Sequence, residues 1–163
     1  MLKMILNRLK PQAKKTIAED QAGFRAGRST TVSSVRNISS TSKTWTLDSK
    51  KAFDRVWHAT LWATMRKYNI SASLIRVIKN LYNKATSAVL FNSSVGVWFR
   101  TTVGVQQGCL LSPTLSNIFL ERIMTDTLKD HEGTISIRGR TITNFCFADD
   151  IDGLAGEEVE LAK

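Results

Sequence analysis

Residues 144–153, NFCFADDIDG, place two adjacent carboxylates, Asp149 and Asp150, directly after an apolar run. Such a pattern is typical of a β-strand that ends in a turn. Neighbouring like charges repel each other, which limits the kinds of turn that can hold them. Three remain: a solvated turn, a calcium-binding loop, or a site where bound cations hold the carboxylates together.

The calcium loop is excluded by the spacing of its ligands. An EF-hand loop needs acidic ligands at positions 1, 3, 5 and 12 and glycine at position 6. With Gly153 at the glycine position, Asp150 and Asp152 fit, but Ala148 and Val159 stand at the two essential ends. A solvated turn and a cation site therefore stay open.

A two-metal site requires carboxylates from separate parts of the chain. Asp48 is a suitable partner, since it ends the short strand-like stretch TWTLD just before a helical pattern. Asp54 is a rival, but it lies one helical turn further on, where a structural or surface role is favoured. The residues alone leave the metal site and the solvated turn as alternatives.

The charge of the chain is unevenly distributed. The 163 residues carry a formal net charge of +9. Residues 1–100 hold 18 Lys and Arg against 4 Asp and Glu, whereas residues 101–163 hold 5 against 10. A basic body with an acidic end suits a polyanionic partner such as nucleic acid together with a cation site. A solvated basic surface is the alternative.

The remaining composition excludes several classes of protein. Two cysteines, Cys109 and Cys146, cannot build a disulfide framework, and we expect reduced, buried thiols. Signal-peptide and membrane-spanning patterns are lacking, so we expect an intracellular protein, nuclear or cytoplasmic, without membrane contact. His58 and His131 suggest no catalytic role, and His58 is expected to serve packing or the surface.

The periodicities predict an α+β fold, with a mostly antiparallel sheet covered by helices on one face. We expect a helix from Met1 that Pro11 stops, and a long helix through KAFDRVWHATLWATMRKY. Further helices are predicted for SASLIRVIKNLYNKA, with a serine cap, and for SPTLSNIFLERIMTDTLKD, with Ser112 as cap and Pro113 at its first position. Val32, Val35 and Ile38 form a weak helical face. A hairpin is predicted around NSS (residues 92–94), and two strands around Gly139 before the aspartate turn.

Four blocks, in order, resemble reverse transcriptases, most closely those of non-LTR (LINE-type) retrotransposons. They are DQAGFRAGRST, LDSKKAFDRVWH, TVGVQQGCLLSPTLSNIFL and NFCFADDI. The first resembles the arginine-bearing fingers segment of that family, and the others resemble its palm motifs. The resemblance implies partial fingers in residues 1–44 and a palm in residues 45–163. It implies a palm-like sheet, with the last palm strands and the thumb absent from the chain.

The same resemblance implies the roles of individual residues. Asp48, Asp149 and Asp150 match the catalytic aspartates, which in the family bind two Mg²⁺ ions for phosphoryl transfer to a primer 3′-hydroxyl. Phe53 resembles the steric gate against ribonucleotides, although a core position is the alternative. Gln107 and Gly108 match the nucleotide-pocket pair. Arg25 and Arg28 match the two arginines of the fingers segment, which in the family bind the triphosphate of the incoming nucleotide. The alternative is that they belong to a generic basic loop.

The expected partners are an RNA template, a DNA primer and dNTPs. The stretch TVSSVRNISSTSKTWT, before Asp48, is shorter and more polar than its counterpart in the family. Because the thumb is expected to be absent and this stretch supports the strand of Asp48 poorly, we expect little or no processive synthesis from the chain by itself. The alternative function is that of a decayed, catalytically inactive nucleic-acid-binding remnant of a retrotransposon polyprotein.

Overall fold

The computed structural model of the 163-residue chain describes residues 1–18, 21–25, 27, 43–48, 51–129, 135–137, 140–142, 144–147 and 150–155. For residues 43–48 and those after 129 it describes the course of the backbone. Two compact units are present. We name them the helical unit, Met1–Thr16 with Phe53–Phe119, and the sheet unit, Ile17–Ala52 with Leu120–Lys163.

The described residues form four α-helices and nine short strands. The helices are α1 Leu2–Lys14, α2 His58–Lys67, α3 Ala72–Lys84 and α4 Ser112–Thr127. The strands are β1 Lys43–Asp48, β2 Thr86–Ser87, β3 Leu90–Phe91, β4 Ser94–Val95, β5 Phe99–Arg100, β6 Ile135–Ile137, β7 Arg140–Ile142, β8 Asn144–Phe147 and β9 Asp150–Ala155. Every pairing between these strands is antiparallel, so the α+β prediction is confirmed.

The helical unit is built around α3, which packs against both α1 and α2. Its fully buried apolar side chains are Leu9, Val56, Leu61, Met65, Ile78, Leu111, Leu115 and Ile118. The predicted serine cap of α3 is confirmed, because the Ser71 hydroxyl accepts a hydrogen bond from Leu74 N at 3.3 Å. The Gln12 side chain of α1 in turn accepts from Ser71 N at 2.8 Å, which joins the two helices.

The prediction that Pro11 stops the first helix is wrong, since α1 continues to Lys14. Proline inside a helix costs about 3 kcal/mol. The helix buries Ile5, Leu6 and Leu9 on one face, and each fully buried side chain of this size is worth about 1.5–3 kcal/mol. Burial of that face therefore outweighs the single hydrogen bond that Pro11 removes near the helix end.

The long helix predicted from Lys51 to Tyr68 is interrupted. Ala52–Arg55 forms a 3₁₀ turn, and the regular helix begins only at His58. Between them Trp57 is 62% exposed and forms an antiparallel bridge with Val103. The break occurs because these residues use their backbone groups to bind a neighbouring segment, which periodicity does not reveal.

The predicted hairpin is present but interrupted along its length. The outer pair β3–β4 is joined at Asn92 and Ser93, and the inner pair is β2–β5. Both turn residues have positive φ, 46° and 64°, as a type I′ turn requires. The hairpin prediction is confirmed, although its side chains are largely exposed.

The sheet unit contains a three-stranded antiparallel sheet in the order β1-β9-β8, and β6 pairs separately with β7. The predicted strand ending at Asp48 is confirmed. Cover of this sheet by helices, its likeness to a palm and the proposed domain boundary at residue 45 stay predictions. The weak helical face at Val32, Val35 and Ile38 lies outside the described residues.

Candidate active site

The register of the three-stranded sheet brings Asp48 and Asp150 together. In the β1–β9 ladder Asp48 is directly opposite Asp150, and in the β8–β9 ladder Asp150 is opposite Phe147. Opposite residues of antiparallel strands share one face of the sheet, with Cα atoms about 4.5–5.5 Å apart. Asp149 belongs to the two-residue connection between β8 and β9 and lies outside the described residues.

Alternation along the strands gives the sheet two chemically different faces. Asp48, Asp150 and Asp152 occupy register positions of one face, because Asp152 follows Asp150 by two residues. Leu47 and Ile151 are opposite each other on the other face. Sequence reasoning considered Asp152 only as a calcium ligand, and the strand register was needed to place it beside the other carboxylates.

The donor chemistry at this strand end fits a hard divalent cation. Carboxylate oxygens are the protein ligands that Mg²⁺ prefers, and it takes only one or two of them beside water or phosphate. Among the residues whose side chains are described, His, Cys, Asp and Glu form no group of three that could hold a metal ion. The case for a metal at Asp48 and Asp150 therefore rests on the backbone register.

Within the helical unit, segment 53–58 is bound to segment 102–105. Val105 N donates to Phe53 O at 2.7 Å, and Gly104 N donates to Val56 O at 2.8 Å. Phe53 is half-buried, so its exposure lies between that of a core residue and that of an exposed steric gate. Asp54, the rival to Asp48, is exposed and accepts a 3.4 Å hydrogen bond from Gln107 Nε2.

Gln107 and Gly108 form an exposed turn that follows the buried Val105. Gly108 has φ +79°, and no protein atom among the described residues lies within 4 Å of where a Cβ would stand. The glycine is thus needed for the backbone conformation and leaves an open approach to the turn.

The turn is held at its base by Ser112. The Ser112 hydroxyl, which is buried, donates to Gln106 O at 2.6 Å, and Cys109 N donates to the same oxygen at 3.1 Å. The predicted capping role of Ser112 is wrong in detail: α4 begins at Ser112 itself, and Leu111 O accepts the first helical bond from Leu115 N. Its side chain fastens the turn instead.

A residue that sequence reasoning did not single out, Tyr82, lies at the same base. Burial raises the pKa of its hydroxyl above the ordinary 10.0, an effect partly offset by the nearness of Ser112 and Gln106. Neither approach reaches hydrogen-bonding geometry, and the hydroxyl is buried without a partner among the described residues. Only the fold could reveal this, because nothing in the sequence distinguishes Tyr82 from Tyr68.

Arg25 braces its own loop in the sheet unit. Its Nη1 donates to the carbonyl oxygens of Ala18 and Gln21, the latter at 3.0 Å. The buried Gln21 side chain accepts from Gly23 N at 2.9 Å, which tightens the same turn. Arg28 lies outside the described residues. A triphosphate-binding role for either arginine stays a prediction.

The helical unit is strongly basic. It contains 12 Lys and Arg and a single acidic residue, Asp54, whereas the sheet unit contains 11 Lys and Arg and 13 Asp and Glu. On α1 and α3 the basic side chains are exposed, as listed here: Lys3, Arg8, Lys10, Lys14, Arg76, Lys79 and Lys84. A surface of one sign attracts polyanions.

The profile of the family described as reverse transcriptase (RNA-dependent DNA polymerase) matches residues 1–161. The chain belongs to the reverse transcriptase family. The resemblance drawn from the four sequence blocks is thereby confirmed, as is the prediction that the chain derives from an enzyme family. Reverse transcriptases act on a nucleic-acid template and primer with dNTPs and use divalent metal ions.

Known retrotransposon proteins are similar over most of the chain. The Pol polyprotein of the R2DM element of Drosophila melanogaster is 33% identical over 106 residues, 64% of the chain and 10% of the relative. The uncharacterized 149 kDa protein of transposon TX1 of Xenopus laevis is 30% identical over 118 residues, 72% of the chain and 9% of the relative. The Pol polyprotein of the R2 element of Popillia japonica is 28% identical over 115 residues, 71% of the chain and 19% of the relative.

The matched region thus spans between about a tenth and a fifth of the length of these relatives. Within the part of the chain that the structure describes, none of the helices combines the length and apolar character needed to cross a membrane.

Proposed function

We propose that this chain supplies the catalytic carboxylates and the nucleotide pocket of an RNA-directed DNA polymerase, which adds dNTPs to a primer 3′-hydroxyl on an RNA template. The observation that carries the proposal is the pairing of Asp48 with Asp150 across two strands, in a chain of the reverse transcriptase family. The backbone register places two aspartates from distant blocks opposite each other at one strand end, and the sequence of the adjoining connection contains a third.

In this proposal Asp48, Asp149 and Asp150 hold two Mg²⁺ ions. When bound, such ions supply activation of the attacking hydroxyl and neutralisation of the leaving pyrophosphate. The carboxylates themselves fix the ions and gain relief from their mutual repulsion. This accounts for an adjacent Asp149–Asp150 pair directly after the apolar strand.

The nucleotide is proposed to meet Phe53, Gln107 and Gly108. The open approach to Gly108 favours close contact between its backbone and a ligand. The Gln107 side chain donates a 3.4 Å hydrogen bond to Asp54. Arg25 and Arg28 are proposed to bind the triphosphate as forked donors. Arg25 would do so with guanidinium hydrogens other than those directed at Ala18 and Gln21.

We propose that the template and primer bind the helical unit through the phosphates of their nucleic-acid backbones. Twelve basic side chains against one acid give this unit a net charge of +11, which suits a nucleic-acid duplex. Sequence readout is not part of the proposal, because template-directed synthesis requires that any sequence be accepted.

The decisive experiment is single-nucleotide addition to a DNA primer on an RNA template, with Mg²⁺ and one complementary dNTP. Single addition is chosen because it does not depend on processivity. We expect extension by the wild-type chain and none by the Asp149→Ala, Asp150→Ala double variant. Extension that persists in the double variant would refute the site, and binding without any extension would favour the inactive remnant.

The proposed gate is tested by Phe53→Ala in the same assay. Removal of the half-buried ring should open space beside the sugar, so that incorporation of a ribonucleotide rises relative to its deoxynucleotide. A matched Trp57→Ala variant removes an exposed aromatic side chain from the same segment without a proposed contact to the sugar. Unchanged discrimination in Phe53→Ala would assign Phe53 to packing.

A further inference from the structure

Gly104 has both of its backbone polar groups bound to segment 53–58. Its N–H donates to Val56 O at 2.8 Å, and its carbonyl oxygen lies 2.7 Å from His58 Nε2. A carbonyl can only accept, so Nε2 carries the proton in this contact. Gly104 also has φ +89°, and a Cβ there would meet Asp54 Cα at 3.3 Å, so the backbones of the two segments lie close together at this point.

The His58 ring is fixed by aromatic neighbours from two helices. It lies edge-on to Tyr82 of α3, with ring centres 5.0 Å apart, and at 5.9 Å from Trp62 of α2. Trp62 and Tyr82 are themselves in edge contact at 5.7 Å. Such contacts restrict the orientation of the ring, so the direction of Nε2 towards Gly104 is set before any ligand arrives.

The same cluster reaches the base of the exposed turn. The Tyr82 hydroxyl is buried beside Gln106 and Ser112, the pair that closes the base of the turn. The turn at Gln107 and Gly108 is therefore supported at Gly104 by His58 and at Gln106 by Ser112, with Tyr82 next to both supports.

We propose that His58 is a positioning residue for the nucleotide pocket. It acts through the Gly104 carbonyl oxygen and holds the backbone so that Gln107 and Gly108 present the pocket in one conformation. This inference rests on the proposed function of Gln107 and Gly108 and adds a residue for which the sequence suggested only packing or surface. If His58 only fills space, its aromatic ring is what matters. If His58 positions the backbone, its N–H donor to the Gly104 carbonyl oxygen is what matters.

Two variants separate ring from donor. His58→Phe keeps an aromatic ring against Trp62 and Tyr82 and removes the hydrogen bond, whereas His58→Gln keeps an N–H donor at the end of a side chain of similar reach. Amide hydrogen exchange reports the positioning directly. We expect the amides of residues 104–107 to exchange about fivefold faster in His58→Phe, the effect of one lost hydrogen bond, and near the wild-type rate in His58→Gln.

Exchange in the helices is the internal control. Unchanged rates in α2 and α3 of both variants would show that the unit stays folded. Wild-type exchange at residues 104–107 in His58→Phe, or equal acceleration in both variants, would overturn the positioning role.

The link to the nucleotide is tested by kinetics of single-nucleotide addition. In His58→Phe we expect KM for the dNTP to rise about fivefold, while kcat changes less than about twofold. In His58→Gln we expect KM to lie near the wild-type value. An unchanged KM beside faster exchange would overturn the proposal and leave a local structural contact.

A wild-type chain that adds no nucleotide would refute the proposed function for this chain, and with it the nucleotide role of His58. The exchange data do not depend on activity. They would still decide whether His58 holds the segment, so failure of the proposed function and failure of this inference are distinguishable.

Discussion

The helical unit and the sheet unit differ most clearly in charge. The helical unit has a net charge of +11 with one acidic residue, whereas the sheet unit has a net charge of −2 with thirteen. A surface that binds a polyanion must avoid carboxylates, and a site that binds cations must concentrate them. On this difference we propose that, within one chain of net charge +9, the helical unit binds nucleic acid and the sheet unit binds metal ions.

The two units also differ in how their candidate residues are held. In the helical unit Gln107 and Gly108 lie on a turn that follows Gly104 and Val105, which are hydrogen-bonded to Phe53, Val56 and His58. In the sheet unit Asp48 and Asp150 are brought together by strand register alone. The first arrangement combines backbone hydrogen bonds with the side chains of His58 and Ser112, and the second depends on the ladder of backbone bonds alone.

The largest effect is expected when each of the two rival aspartates is replaced by asparagine in a separate variant. We expect Asp48→Asn to slow single-nucleotide addition about a thousandfold, because a metal site contributes several kcal/mol of transition-state stabilisation. Asp54→Asn should slow it less than about tenfold, since the amide oxygen can still accept from Gln107. Both should bind an RNA–DNA duplex as the wild type does. Equal losses of activity in the two variants would contradict the proposal that the metal-binding carboxylates belong to the sheet unit.

The next largest effect concerns Gly104, which precedes the exposed turn, and Gly108 within it. Gly104→Ala introduces both a positive φ and a close contact with Asp54, so we expect a loss of about 3 kcal/mol in the free energy of unfolding. Gly108→Ala is the matched control, with positive φ and open space, and should lose about 1 kcal/mol. Urea denaturation measures both. A smaller loss at Gly104 than at Gly108 would show that segment 53–58 does not constrain the turn.

Salt dependence sharpens the charge comparison. Three phosphate contacts would lower the affinity for an RNA–DNA duplex roughly fortyfold between about 50 and 200 mM salt. Arg76→Glu with Lys79→Glu, on exposed neighbouring positions of α3, should flatten that slope by about two units. Lys129→Glu, an exposed lysine of the sheet unit, is the control and should change it little. Fluorescence anisotropy gives each slope, and similar changes in both variants would contradict a binding surface on the helical unit.

The smallest effect is expected at Tyr82. Because burial raises the pKa of its hydroxyl, the folded chain retains a proton that the unfolded chain loses above pH 10, so stability should fall as the pH rises past 10. Tyr82→Phe should weaken this alkaline loss and change stability at neutral pH by no more than about 1 kcal/mol. Urea midpoints measured from pH 8 to pH 11 test it. An identical alkaline loss in the variant would show that Tyr82 is not the group responsible.

The amino-acid sequence by itself determined the family, the α+β class, the strand that ends at Asp48 and the helices with strong apolar periodicity. These features are local, or depend on residue identity within short blocks, and they need no knowledge of distant contacts. The four blocks also sufficed to select candidate residues, whose roles stay predictions.

Tertiary structure alone decided which of those residues meet and which local rules fail. Asp48 and Asp150 become neighbours through a register that no short window of sequence specifies. Helix α1 passes through Pro11 because its apolar face is buried, and the helix before His58 breaks because Val56 and Trp57 bind segment 102–105. His58 contacts Gly104, 46 residues further along the chain. Each of these outcomes is set by burial and hydrogen bonds between distant segments, whose free energies exceed the local preferences on which sequence patterns depend.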